Sequence, residues 1–173
     1  DVTHDVLSGH VLPNGYDFVE ADEHVADVGN GADDDGDGDI DELTGHGTAI
    51  GGLVARVAPD TSLLPVRILD SDGAGNTFRT AQCIYYAIQS GADVINLSVG
   101  TTSNNHVLRD AVEAAREAGI LVVASAGNMN LQNPVQMPAG NPNVLGVAST
   151  DAADLKSDFS NYGAHIGLSA PGT

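Results

Sequence analysis

Two rhythms of apolar residues divide this chain. Residues 1–45 are polar and rich in turn formers, with one short strand candidate at Tyr16–Val19. From residue 46 onward helical and strand patterns alternate. Thr48–Ala58 is apolar almost all round, which predicts a buried helix, and Pro59 lies just past its end. Leu63–Leu69 is a β-branched and leucine run that predicts a buried strand. Thr77–Ser90 predicts a helix stopped at Gly91, and Asp93–Val99 the strand after it. In His106–Ala118 the side chains of Val107, Leu108, Ala111, Val112, Ala115 and Ala118 share one face. That spacing predicts an amphipathic helix, capped by Asn104 or Asn105 and ended by Gly119. Ile120–Ala126 and Asn143–Thr150 predict two more strands, and Asn128–Asn143 one long surface loop. Continuous apolar strands alternating with helices imply an α/β fold with a parallel sheet covered on both faces. No repeat or linker interrupts the pattern, so residues 1–173 are expected to form a single domain.

Composition narrows the partners. Apolar content is 42%, ordinary for a globular chain, and 21 glycines suit close packing and tight turns. The formal charge is −18, so a phosphate backbone would be repelled and nucleic acid is an unsuitable partner. No apolar run approaches the roughly 20 residues of a membrane-spanning helix. Cys83 is the single cysteine, sits in an apolar stretch, and reads as a small core residue.

The negative charge is local: 14 of the 24 acidic residues lie within residues 1–42. Asp33-Asp34-Asp35-Gly36-Asp37-Gly38-Asp39-Ile40-Asp41 has the spacing of a calcium loop, with acids at loop positions 1, 3, 5 and 9 and a glycine at 6. Position 12 is Thr44 where a bidentate Glu is expected, leaving Asp41 or Glu42 to serve instead. Crowded carboxylates without a cation repel one another, so Asp33, Asp35, Asp37, Asp39 and Asp41 are read as candidate Ca²⁺ ligands. His4, His10, His24, His106 and His165 show no metal-ligand spacing.

Two short motifs carry candidate chemistry. His46 stands between Gly45 and Gly47 at the mouth of a helix, a position suited to a general base that substrate can approach closely. Asn128 follows an apolar strand, at the carboxyl end where open α/β sheets bind ligands, and its amide could donate to a developing oxyanion.

The order Gly45-His46-Gly47-Thr48, Asp72–Thr77, Asn96–Gly100, Ala124–Asn128 and Ser169–Gly172 resembles the subtilisin-like serine proteases over essentially the whole chain. The resemblance implies a three-layer, doubly wound, mostly parallel sheet, incomplete at both ends. It implies His46 as base and Asn128 as oxyanion donor, projecting into a common cleft. It assigns Asp72, Gly73, Ala74 and Gly75 to one substrate-pairing segment and Ser98, Val99 and Gly100 to the other. Ser125, Ala126 and Gly127 become pocket wall, and the substrate an extended polypeptide lying between the two segments. Small residues around Val99 suggest a roomy apolar pocket. Calcium in an acidic loop before the histidine, and a secreted or cell-surface location, follow from the same likeness.

The departures are specific. The family's aspartate sits in Asp-Thr-Gly or Asp-Ser-Gly, which does not occur here; Asp1-Val2-Thr3-His4 resembles the segment just after it. Its nucleophile sits in Gly-Thr-Ser-Met-Ala, and none of the eleven serines has that context. Ala49 stands where many members carry a second histidine. The chain by itself is therefore expected to be inactive, as a fragment of a catalytic domain. A non-catalytic subtilase-fold module and a calcium-binding interaction module are the alternative expectations.

Overall fold

The computed structural model describes residues 1–26 and 28–173. The chain divides into two compact units, Asp1–Cys83 and Ile84–Thr173.

In the first unit a 3-10 helix, Asp5–Leu7, precedes strand β1 (Tyr16–Asp17), helix α1 (His46–Val57) and strand β2 (Val66–Arg67). β1 and β2 pair in parallel, Tyr16 opposite Val66 and Asp17 opposite Arg67. The strand expected over Leu63–Leu69 is regular for only two residues. Pro65 has no N–H to give, so the ladder before it is reduced to an isolated bridge between Val11 and Leu63. Asp17, 1% exposed, accepts from the Arg67 guanidinium at 2.8 Å and from the Val19 amide, which ties β1 to β2.

α1 begins two residues earlier than its apolar pattern indicates. Gly45 takes φ 88° as its N-cap, a left-handed conformation that costs glycine little. The expectation that this helix is buried all round is corrected. Gly51 and Gly52 face Leu7 and Val6 closely enough that a Cβ would sit 3.2 and 3.1 Å from them. The opposite side is open, with Leu53 60% and Val57 84% exposed. Within its unit the 3-10 helix and Leu63 pack against the glycine side, so that stripe is covered.

Helix α2 (Thr77–Gln89) runs from the first unit into the second, and Gly91 at φ 75° follows its end. The second unit then contains β3 (Val94–Leu97), α3 (His106–Glu117), β4 (Leu121–Ser125), β5 (Val144–Thr150) and β6 (Ile166–Pro171). The sheet is wholly parallel and its strands lie in chain order, β3-β4-β5-β6. α3 packs on β4 through the stripe its spacing predicts: Leu108, Ala111, Val112 and Ala115 are buried. Asn105 caps it by accepting from the Leu108 amide at 3.1 Å, and Gly119 at φ 79° follows its end. Ile95, Leu97, Val122, Ala124 and Ala148 bury one face of the sheet, while Val94 and Leu121 on the other face stay exposed. β6 had no strand signal, and four of its six residues are exposed.

Candidate functional site

The acidic loop belongs to the first unit. Asp33, Asp35 and Asp37 each offer a carboxylate oxygen, all within 4.8 Å of one another and all exposed. Asp39 and Asp41 lie outside that group. The two Asp41 oxygens instead accept from the amides of Asn30 at 2.9 Å and Gly31 at 2.8 Å. A hydrogen bond from Ser71, with those from Gly31 and Asn30, holds the Asp41 carboxyl below its ordinary value. Asp33 accepts from the amides of Gly36 and Gly38, which curls the loop around its own first carboxylate.

Asp72 anchors this loop from below. It is 4% exposed, and its carboxylate accepts from the amides of Asp34 and, at 2.6 Å, Asp41. It sits on a tight turn in which the Asp70 amide donates to Ala74 O and Gly73 adopts φ 83°. The Asp72–Gly75 segment assigned to substrate pairing thus keeps its aspartate side chain inside, while Gly75 is exposed.

His46 is the first residue of α1. Its amide donates to Leu43 O at 3.0 Å, and its ring is half-buried with no hydrogen-bond partner among the described residues. Beside it a recess of about 530 Å³ runs along the helix between Asp1, His4 and Val6 on one side and Thr48, Gly52 and Arg56 on the other.

In the second unit, neighbouring parallel strands deliver two motifs to one sheet edge. Leu97 of β3 pairs with Ala124 of β4, so Ser98–Gly100 and Ser125–Gly127 leave the sheet side by side at its carboxyl end. Asn128 follows them, exposed and without a hydrogen bond to its carboxamide among the described residues. The Asn128–Asn143 loop folds back here: Thr101 and Met137 exchange backbone hydrogen bonds of 2.9 and 2.7 Å. That return places the Gln136 side chain between the two motifs. A Cβ on Gly100 would lie 2.5 Å from Gln136 Oε1, and one on Gly127 would overlap the same oxygen. A carboxamide thus lies close to both Gly100 and Gly127, the segments from which a roomy apolar pocket is expected.

Across its whole length, residues 1–173, the chain matches the model of the subtilase family. The chain belongs to that family. It is 41% identical over 170 residues to thermitase of Thermoactinomyces vulgaris, covering 98% of this chain and 58% of that protein. It is 38% identical over 182 residues to a thermophilic serine proteinase of Bacillus sp. strain AK1, covering 99% and 41%. Among solved structures, a cold-adapted subtilisin-like serine proteinase superposes with a TM-score of 0.80 at 30% identity, over 99% of this chain and 59% of that one. The fold is therefore the subtilisin-like α/β fold, and the chain spans about half the length of these relatives.

Within this subtilase the lone thiol is inert. Burial pushes Cys83 up to about 12, which keeps it protonated at any ordinary pH. Two residues near Asn128 escaped the sequence reading. Gln136 lies in a Gly/Pro/Asn-rich stretch with no periodicity. Asn161 sits in Ser160-Asn161-Tyr162-Gly163, which looks like an ordinary turn. It is nevertheless 2% exposed, and both ends of its side chain are hydrogen-bonded to the segment around Asn128.

Proposed function

We propose that the protein carrying this chain is a secreted or cell-surface subtilisin-like serine endopeptidase. Its chemistry is acyl transfer. A serine attacks the peptide carbonyl while His46 takes its proton. Asn128 and a backbone N–H stabilise the oxyanion; as the intermediate collapses the C–N bond breaks and His46 gives its proton to the departing amine, and water then hydrolyses the acyl-enzyme. Substrate is an extended polypeptide, with Ser98–Gly100 and Asp72–Gly75 each assigned to backbone pairing and Ser125–Gly127 to pocket wall. The observation that carries this reading is the exposed Asn128 carboxamide at the carboxyl end of β4, without a hydrogen bond among the described residues, in a chain the subtilase model matches throughout.

The 173 residues by themselves are proposed to be inactive, because none of their serines has the nucleophile's context. Losing such a catalytic unit costs roughly 10⁶ in rate, a magnitude that belongs to subtilisin itself and is carried over from that relative. A fluorophosphonate probe tests both parts. It should label one serine of the whole protein and none of the isolated chain; stoichiometric labelling of a serine within residues 1–173 would contradict the assignment.

Calcium is the proposed structural ion. Three hard carboxylate oxygens gathered within 4.8 Å fit it, and Asp33, Asp35 and Asp37 would hold it. Like-charge crowding is already felt nearby. Glu42's own backbone hydrogen bond lowers its pKa, but desolvation and the carboxylates of Asp37, Asp72 and Asp35 together outweigh it, for a net upward shift. Bound calcium would neutralise that field and order the loop that leads into His46. Calorimetry with CaCl₂ and MgCl₂ decides: absence of heat at millimolar calcium refutes the site.

A further inference from the structure

We infer that Asn161 is a positioning residue that aims the Asn128 carboxamide, an inference that rests on reading Asn128 as the oxyanion donor. An exposed side chain on a loop can serve as a preorganised donor only if its backbone is held still. Every residue that follows Asn128 up to Leu131 is tied to one downstream segment. Asn161 Oδ1 accepts from the amides of both Met129, at 3.0 Å, and Leu131, at 2.9 Å. On the other side of Asn128, Asn161 Nδ2 donates to Ala126 O at 3.0 Å, and the Asn161 amide donates to Gly127 O at 2.9 Å. One buried residue therefore brackets Asn128 with four hydrogen bonds, two before it and two after.

The residue between those two amides is fastened as well. The Asn130 amide donates to Phe159 O at 2.7 Å, and its side-chain oxygen accepts from Lys156 Nζ at 2.8 Å. Lys156 also donates to Ser157 O and Ser160 O, and its ammonium lies 5.5 Å from the Tyr162 ring centre. The bracket is itself mounted on the sheet. Ser149 of β5 donates its amide to Ser160 Oγ at 2.9 Å and shares a 2.6 Å hydroxyl contact with Ser157, both of them buried. Displacement of a catalytic group by about 1 Å can cost a factor of roughly 100, so a bracket of this kind has kinetic consequences.

The test uses the whole protease that carries this chain, with kcat for a chromogenic peptide normalised to titrated active sites. Asn161→Ala should lower kcat roughly tenfold to a hundredfold, with KM within about twofold of the parent value. In an Asn128→Ala background the same change should cost nothing more, because there is no carboxamide left to aim. Equal losses in both backgrounds, or no loss in either, overturn the inference; a merely structural role would reduce the titre and the Tm but leave that coupling absent. If Asn161→Ala does not fold, Lys156→Met decides by the same comparison, since it removes the ammonium's ties to Asn130, Ser157 and Ser160 but none of the four Asn161 hydrogen bonds. A parent whose kcat is indifferent to Asn128→Ala loses both the oxyanion assignment and this inference. Faster amide exchange at Met129 and Leu131 in Asn161→Ala would then show that the bracket exists but serves no donor.

Discussion

Asp72→Ala is the most informative single change in the acidic region. The parent carboxylate is 4% exposed and accepts from two backbone amides, those of Asp34 and Asp41, which lie near the two ends of the loop. A hydrogen bond to a charged acceptor contributes about 1.5–3 kcal/mol, so two would sum to about 3–6. Two effects reduce the figure. The loop is exposed on its other side and can relax until water reaches the freed amides. Removing the carboxylate also removes its own desolvation cost. The expected loss is about 2–4 kcal/mol in urea unfolding, with Asp72→Asn losing roughly half as much, since one acceptor oxygen survives. Calcium affinity should weaken in parallel, because Asp33, Asp35 and Asp37 are gathered by a loop that Asp72 holds closed. An Asp72→Ala protein within about 0.5 kcal/mol of the parent and with unaltered calcium titration would refute the anchoring argument.

Three further outcomes are expected. Gly127→Ala forces a β-carbon onto a residue at φ 99°, overlapping Gln136 Oε1 and lying 2.5 Å from Asn161 Nδ2; a loss of about 2 kcal/mol or more is expected by denaturation, and an unchanged midpoint would argue against a tight bracket. Ile84 is 0% exposed in α2, so Ile84→Val should cost about 0.5–1.5 kcal/mol and Ile84→Ala about 2–5 in urea unfolding, the spread measuring how far the site can collapse. Asp41 has its folded pKa depressed below 3.8 by hydrogen bonds from Ser71, Gly31 and Asn30; its contribution to stability is complete above the unfolded value and is lost only as pH falls through the folded one. Amide protection at Asn30 and Gly31, followed by NMR, should survive to below pH 3.8, and a midpoint at or above that value would contradict the assignment.

What the amino-acid pattern revealed, and what it hid, follows from where the information sits. α3 was legible to its caps, because Asn105, the 3.6-residue apolar stripe and Gly119 are local signals that agree. β4 and β5 were legible because buried parallel strands are apolar runs. β6 was not: it is an edge strand, largely exposed, carrying Gly167, Ser169 and Pro171, and it is held by backbone pairing to β5 that leaves no side-chain rhythm. α1 looked buried on all sides because its residues are apolar on all sides, but burial depends on what lies opposite: one face meets Val6, Leu7 and Leu63, while Leu53 and Val57 stay exposed. The acidic loop showed its calcium spacing, yet not that Asp41 and Asp72 turn their oxygens to backbone amides. Motif context singles out His46 and Asn128 as candidates, whereas Gln136 and Asn161 reach their places through tertiary contacts between distant loops, which no local pattern encodes.

The wholly parallel sheet of the second unit has a consequence for biogenesis. Its four strands neighbour one another in space in the order in which the ribosome releases them. Each emerging strand meets a template already laid down, so no earlier partner waits with an open ladder for a later arrival to be threaded between two neighbours. Loop closure is limited to one crossover at a time. Vectorial synthesis can therefore extend this half strand by strand, from β3 outward to β6.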